Sequence, residues 1–549
     1  MNPSPPGAGS HRATVLIRGA HVHPEGTSWP RYRAVALRGD RVLRLGAGPH
    51  DLDDLTEPGT VCVDLPDLCI VPGFVDAHVH QIEATQDLDT VDVGPARSVA
   101  ELVALLRDAV AAAPSGGWTV SRRGWHESNV AERRLPTTTE LDGVSTSAPI
   151  MVRRGSQLAV LNSAGIERAA AMALADGEVR RAGTVRGRDA IGRLLGFDGA
   201  RSVDERATGL ARVCSLHASR GIVGARDAGV DAEELATYER LAARDGLAVR
   251  TDLLVAIPRT LDAGAKLAFL DELGPPPGRR GPCLSITGIK LFADGHIADA
   301  AIRPGSASNQ HSPGELLMTA GEIAEIASRA VQLRWRVGCH VVGDRALDET
   351  LDAFDAVLRG NAAVATGQLV VEHALIADEA QRRRAAALGV GVTVQHPLVD
   401  LYGAQMVAEW GPTLADRASP VRGWLDSGAL VAAGSDGHVA PFDPLRSIAG
   451  LASRRTMAAG VLGRDEGVGL EAAVRLHTVH SRWLMSFADA PAGLVAGGLA
   501  DLVALNGCVF ERAAEELVDG CTPVLTVCGG RSTFDPGSLW PGQSLADAH

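Results

Sequence analysis

The stretch Val71-Pro-Gly-Phe-Val-Asp-Ala-His-Val-His80 decides how this chain is read. It continues an apolar run, Leu68-Cys-Ile-Val71, that has the character of a buried strand. Side chains alternate faces along a strand, so His78 and His80, at i and i+2, are predicted to share one face. Two imidazoles on one face at a strand's end can grip one metal ion. Two polar residues in a loop after a strand would look the same in isolation. The rest of the chain decides between these readings.

Downstream, short apolar runs alternate with helical patterns, which predicts βα units and a parallel sheet or barrel. The runs are Gly221–Arg226, Leu247–Val255, Leu284–Phe292, Arg336–His340, Gln368–His373, Val390–Gln395 and Leu430–Asp436. With the opening strand they number eight, which closes a (β/α)8 TIM barrel. Helical patterns such as Ala320–Leu333 and Asp344–Leu358 lie between them. Residues 85–205 are too long for one βα connection and read as an insertion after the first barrel strand, placed to cover the barrel mouth.

Both ends of the chain carry a different pattern. Thr14–Ile17, Ala34–Leu37 and Arg41–Leu45 are short strands, and so are Ala500–Leu505 and Pro523–Gly530. The expected organisation is an α/β chain in which residues 1–71 and 486–549 build one small β-sandwich domain around a barrel at 72–485. The start, Met1–Ser10, lacks a basic segment followed by an apolar core and is read as a disordered tail, not a signal peptide.

Composition narrows the function. The net charge of −13 disfavours nucleic acid or an acidic membrane as a partner. No apolar run is long enough to span a bilayer. The eight cysteines are scattered without a C-x-x-C pair, which points to free thiols in a cytoplasmic protein. A small-molecule substrate is the expected partner, and a homo-oligomer is left open. Of the 53 basic residues only Lys266 and Lys290 are lysine. Lys266 is expected on an exposed helical face, whereas Lys290 lies in an apolar strand.

His78 with His80, Lys290, His340, His373 and Asp436 all fall at predicted strand ends. In a (β/α)8 barrel those ends converge at the face where active sites sit. Imidazole nitrogen and carboxylate oxygen suit zinc and similar divalent ions. Singly, each residue reads equally well as a satisfied core histidine or a turn aspartate. Together they read as a metal site.

These residues sit in Pro72–His80, Gly288–Gly295, His340–Ala346, Val371–Ala374, Gly434–Asp436 and Gly498–Val503. On those motifs the chain resembles the amidohydrolase superfamily, and within it the YtcJ-like branch (amidohydrolase family 3) that includes N-substituted formamide deformylase. The resemblance implies two divalent ions, zinc by default. His78, His80 and Asp436 would hold one, His340 and His373 the other, and a carboxylated Lys290 would bridge them. A primary amine can become a carbamate, a role arginine does not fill. The implied reaction is hydrolysis of a non-peptide C–N bond (amide, formamide or cyclic amide) by a metal-activated hydroxide, with Asp436 as the catalytic proton carrier. The alternative is a one-metal deaminase, lactonase or decarboxylase on the same fold.

Substrate contacts are expected from Arg153, Gln157, Asp294, His296, His396 and His438. Relatives often carry histidine where Gln157 stands, serine where His296 stands, and a Trp-Pro pair after the Asp-Gly that precedes His438. No relative's substrate therefore transfers directly. Trp125, His126 and Trp424 are candidate apolar walls, with core packing the default for Trp. His477 and His480 are read as structural.

Overall fold

In this computed structural model the chain is described over residues 12–112, 117–196, 202–306, 314–438, 442–485 and 490–540. The expected N-terminal tail lies outside the described residues. Eight parallel strands form the barrel: β1 (Phe74–Val79), β2 (Ile222–Val230), β3 (Arg250–Ala256), β4 (Leu284–Phe292), β5 (Arg336–Val341), β6 (Leu369–His373), β7 (Gly391–Val394) and β8 (Leu430–Ala433). Each pairs with its neighbour in chain order, from β1 to β8.

Helices on the outer faces bury the apolar sides of these strands, with Ile286, Val337, Val371 and Val392 among the strand residues and Ile323, Leu347 and Leu351 among the helical ones. Local sequence starts several of these helices. Ser202 with Glu205, Asp231 with Glu234, Thr319 with Glu322 and Asp378 with Gln381 form capping boxes that satisfy otherwise orphaned N–H groups. Lys266 differs from expectation. It is buried on the helix Ala263–Leu273, which packs against the helix Ala320–Gln332 bearing Glu322. Its alkyl stem suits that packed face.

The seam between β8 and β1 closes without a regular ladder. Asp436 N–H donates to His78 O at 2.8 Å and His80 N–H donates to Gly437 O at 2.6 Å. Ser435 adds its N–H and hydroxyl to the Asp76 carboxylate at 2.9 and 2.5 Å. Gly434 permits this approach, because a Cβ there would stand 2.5 Å from the His78 nitrogen. Ala77, Val370, Ala432 and Leu484 form a small apolar cluster.

The two chain ends meet. Val503 pairs antiparallel with Val71, and Leu502–Leu505, Pro523–Cys528 and Arg531–Phe534 extend the sheet begun by Val15–Val22, Tyr32–Arg38 and Arg41–Gly46. Strand Cys69–Pro72 belongs to this sheet and runs through Gly73 directly into β1. Between β1 and β2 the inserted segment forms its own four-stranded sheet, Thr119–Val120, Ile150–Arg154, Leu158–Leu161 and Thr184–Arg186, with separate apolar clusters on it. Among the described residues no helix is long and apolar enough to cross a membrane.

Adding one methyl group at Gly434 is expected to force β8 away from β1. Gly434→Ala should lower stability by about 1–3 kcal/mol, the usual range for overpacking, read as a lower midpoint in denaturant unfolding.

Candidate metal centre

His78 and His80 do share a face: their ring centroids lie 5.4 Å apart, nearly perpendicular. Both reach Asp436, His80 through Nε2 at 3.2 Å from Oδ1 and His78 through Nε2 at 3.7 Å. His373 closes the group, with its ring 4.6 Å from that of His78 and 4.5 Å from that of His340. One ligand atom from each of His78, His373 and Asp436 falls within 4.8 Å of the others. Lys290 and Phe292 on β4 stand in register with Gly338 and His340 on β5. Five strand ends, those of β1, β4, β5, β6 and β8, therefore deliver their side chains to one place.

Backbone conformation finishes the arrangement. His373 (φ 73°), Ala374 (φ 44°) and Asp436 (φ 55°) are all left-handed, an uncommon state for residues other than glycine. Glu372 and His373 are sequence neighbours and would face opposite ways in a regular strand. The turn at His373 lets both serve the site. Non-glycine residues held in this region cost of order 1–3 kcal/mol each and cluster at functional sites.

Hydrogen bonds set which nitrogen of each ring is free. A carbonyl only accepts, so the 3.1 Å contact from His340 Nε2 to Gly295 O places the proton there and leaves Nδ1 with its lone pair. His373 Nδ1 donates to Gln395 Oε1 at 2.8 Å, leaving Nε2 free. His78 Nδ1 faces Glu372 Oε2 at 2.7 Å, and its buried Nε2 has no hydrogen-bond partner. This pairing of a ring N–H with a carboxylate or carbonyl is how metal-ligating histidines are oriented. Glu372 is itself held by Arg226 at 2.8 Å and by Thr393 Oγ1 at 2.5 Å. A Cβ on Gly338 would stand 2.5 Å from Glu372 Oε1, so only glycine leaves space for that carboxylate.

The electrostatics favour neutral His78, His340 and His373 and an anionic Asp436. Burial, reinforced by Lys290, lowers His78 to about 4 and His340 to about 3. Burial, with His340 and His78 adjacent, takes His373 well below the usual range. Burial opposes the charge on His80, but its hydrogen bond to Asp436 and the charges of Asp436, Glu83 and Asp227 together outweigh this and raise it to about 9. Burial likewise opposes the charge on Asp436, and His80, His373 and His78 overcome it and hold the carboxyl low. The Lys290 amine is buried with no hydrogen-bond partner, 5.4 Å from the Phe292 ring centroid, and burial lowers its pKa. Orphaned Nε2 and Nζ atoms beside rings with directed lone pairs fit a metal centre.

Other expected contacts fall differently. His438 lies 5.6 Å from the His80 ring and bonds Glu83 at 3.0 Å, while its buried Nδ1 lacks a partner. His296 is open to solvent and stands edge-on to Tyr402 at 5.2 Å; His126 flanks the same ring at 5.4 Å. Asp294 is not a substrate contact. It is buried and accepts the backbone N–H groups of Ala301, Val342 and Gly343, tying down the loops after β4 and β5. His396 faces away: Gln395 points inward to His373, so the next side chain points outward, against Gly450. Arg153 is buried on Asp87 at 3.3 Å. Gln157 is exposed at a hairpin tip, and its neighbour Ser156 is the residue that reaches His438, at 3.4 Å. Trp125 and Trp424 are core residues, as their default reading has it.

Sequence reasoning missed the clamp between insertion and barrel. Arg123 and Arg188 pair with Glu83 at 3.2 and 2.8 Å, and Arg123 also meets Asp87 at 2.8 Å. Asn129 donates to Leu401 O at 2.8 Å on the far side. Glu83 three residues after His80 was the available signal, an acid immediately beyond the ligand motif.

The profile described as the amidohydrolase family matches residues 61–534. The chain belongs to the amidohydrolase family. It is therefore a hydrolase of the class that acts on carbon–nitrogen bonds other than peptide bonds. This amidohydrolase is similar to N-substituted formamide deformylase of Arthrobacter pascens, 26% identical over 515 residues, covering 88% of this chain and 92% of that enzyme. The putative amidohydrolase YtcJ of Bacillus subtilis is 23% identical over 480 residues, covering 82% and 87%. In fold it is similar to an uncharacterised metal-dependent hydrolase of Pyrococcus furiosus, with a TM-score of 0.70 and 24% identity, covering 90% of this chain and 100% of the other.

Glu372→Gln removes the charge that balances Arg226 inside the barrel. It should destabilise the fold by about 3–5 kcal/mol, the usual cost of breaking a buried pair, and weaken metal binding roughly 10–100-fold. Denaturant unfolding and metal titration read the two effects separately.

Proposed function

We propose that this amidohydrolase hydrolyses an amide, formamide or cyclic amide bond of a small molecule at a two-metal centre. The observation that carries the reading is the gathering of directed histidine lone pairs and Asp436 around an unpartnered, buried amine. His78, His80 and Asp436 would hold one divalent ion, zinc in the first instance, and His340 with His373 the second. Lys290 as a carbamate would bridge them. Burial favours its neutral amine, which is the form that adds carbon dioxide: an N–C bond forms and one proton leaves.

When bound, such ions polarise a carbonyl oxygen and lower the pKa of a bound water. Asp436 takes the proton of the attacking water and returns it to the leaving nitrogen as the C–N bond breaks. His80 hydrogen-bonds the same carboxylate and fixes its orientation. His438 and His296 supply donors to the substrate, and the clamped insertion covers the site. The likeness to N-substituted formamide deformylase supports the reaction class. One observation favours a second reading, a one-metal deaminase, lactonase or decarboxylase: His78, His373 and Asp436 by themselves bring three ligand atoms within 4.8 Å of one another, enough for a single ion.

Metal content per chain and mass analysis of Lys290 distinguish the readings. Two ions and a mass gain of one carbon dioxide are expected in the wild type, with one ion in Lys290→Ala. One ion and an unmodified Lys290 in the wild type would favour the one-metal reading.

Asp436→Asn is expected to lower kcat by about 10²–10⁴-fold, the range for a positioned proton carrier. His78→Ala should lose metal as well as turnover. Steady-state kinetics against a panel of small amides, with elemental analysis of the same samples, checks both.

A further inference from the structure

A second cluster of ligand-type side chains lies outside the barrel, in the sheet made by the chain ends. His23 follows the strand Val15–Val22, Cys69 opens the strand Cys69–Pro72, and Cys508 follows the strand Leu502–Leu505. These three strands are adjacent. Cys69 stands in register with His21 on one side and with Leu505 on the other. One ligand atom from each of His23, Cys69 and Cys508 lies within 4.8 Å of the other two.

The imidazole is already oriented for a ligand. His23 is fully buried and its Nδ1 lies 2.9 Å from Thr27 O. A carbonyl only accepts, so Nδ1 carries the proton and Nε2 keeps its lone pair. That Nε2 points at Cys508 Sγ, 3.7 Å away. Sulfur and nitrogen bound to one zinc, at ~2.3 and ~2.0 Å, stand roughly 3.5 Å apart in a tetrahedron. The Phe510 ring, 4.8 Å from His23, packs against the imidazole. A simple thiol pair poised for a disulfide would need no imidazole lone pair aimed at it.

The geometry points to a second metal site, distinct from the barrel centre, in which Cys69, Cys508 and His23 hold zinc or another thiophilic divalent ion. Two thiols and an imidazole suit such ions. Binding exchanges the two thiol protons for the ion, and the site stays electrically neutral with His23 uncharged. Cys69 is buried and Cys508 only partly so, which leaves a fourth position toward solvent. The ion would staple the first strand, the strand that leads into β1 and the returning C-terminal strand.

Cobalt(II) titration of the metal-stripped, reduced full chain tests this. None of the barrel ligands carries sulfur, so a thiolate-to-cobalt charge-transfer band in the near ultraviolet reports a cysteine site, and its dependence on Cys508 assigns it. The expected result is a band saturating at one cobalt per chain, kept in His78→Ala and lost in Cys508→Ser. A wild type without the band, or a band unchanged in Cys508→Ser, overturns the proposal. Where that variant does not fold, alkylation of the wild type decides: zinc should slow labelling of Cys508 by tenfold or more while exposed Cys62 reacts as before. Equal labelling of Cys508 with and without zinc also overturns it.

Discussion

Inside the barrel, under the strand ends, Glu372 is fully buried between Arg226 and His78. Taking a carboxylate and a guanidinium out of water costs several kcal/mol per ion, and only close pairing with every lone pair satisfied offsets it. Arg226 takes one oxygen, while His78 and Thr393 take the other. The consequence reaches the site directly. With its Nδ1 held by Glu372, His78 has one nitrogen left, and it faces Asp436. A packed interior thus becomes an instruction about which atom of a ring is free. The chain Gln395 to Thr393 to Glu372 extends the same control to His373.

The rest of the molecule holds this arrangement in place. The β8–β1 seam is closed by the backbone of His78, His80 and Asp436 themselves, so closing the barrel also brings these three residues together. Asp294 draws three backbone N–H groups toward one carboxylate and steadies the loops beyond β4 and β5. The insertion is clamped through Glu83 and Asp87, immediately after His80. Ion pairs of this kind say little about net stability but tie the insertion to the segment that carries His80.

The legible residues were those whose meaning is periodic or positional. Eight apolar runs separated by helical patterns predicted the barrel. His78, His80, Lys290, His340, His373 and Asp436 stood out because each ended a run. The unreadable ones act through space. Glu372 sits beside His373 in sequence, yet its partners are Arg226 and His78, far away along the chain. Asp294 and His396 looked like mouth residues because they follow strand ends, and the face of a residue past a strand depends on turns that adjacency does not record. Lys266 looked exposed because a helix pattern does not say which neighbour covers it.

By itself the sequence determined the elements, their order and the chemistry available at each strand end, because strand and helix periodicities and capping residues act over a few positions. Only the tertiary structure decided which ring nitrogen is free, which carboxylates support the fold instead of facing the cavity, and where the insertion is anchored. Those outcomes depend on distances between segments more than a hundred residues apart, such as Glu372 from His78. Hydrogen bonds and burial in the folded interior set them, and no local pattern carries that information.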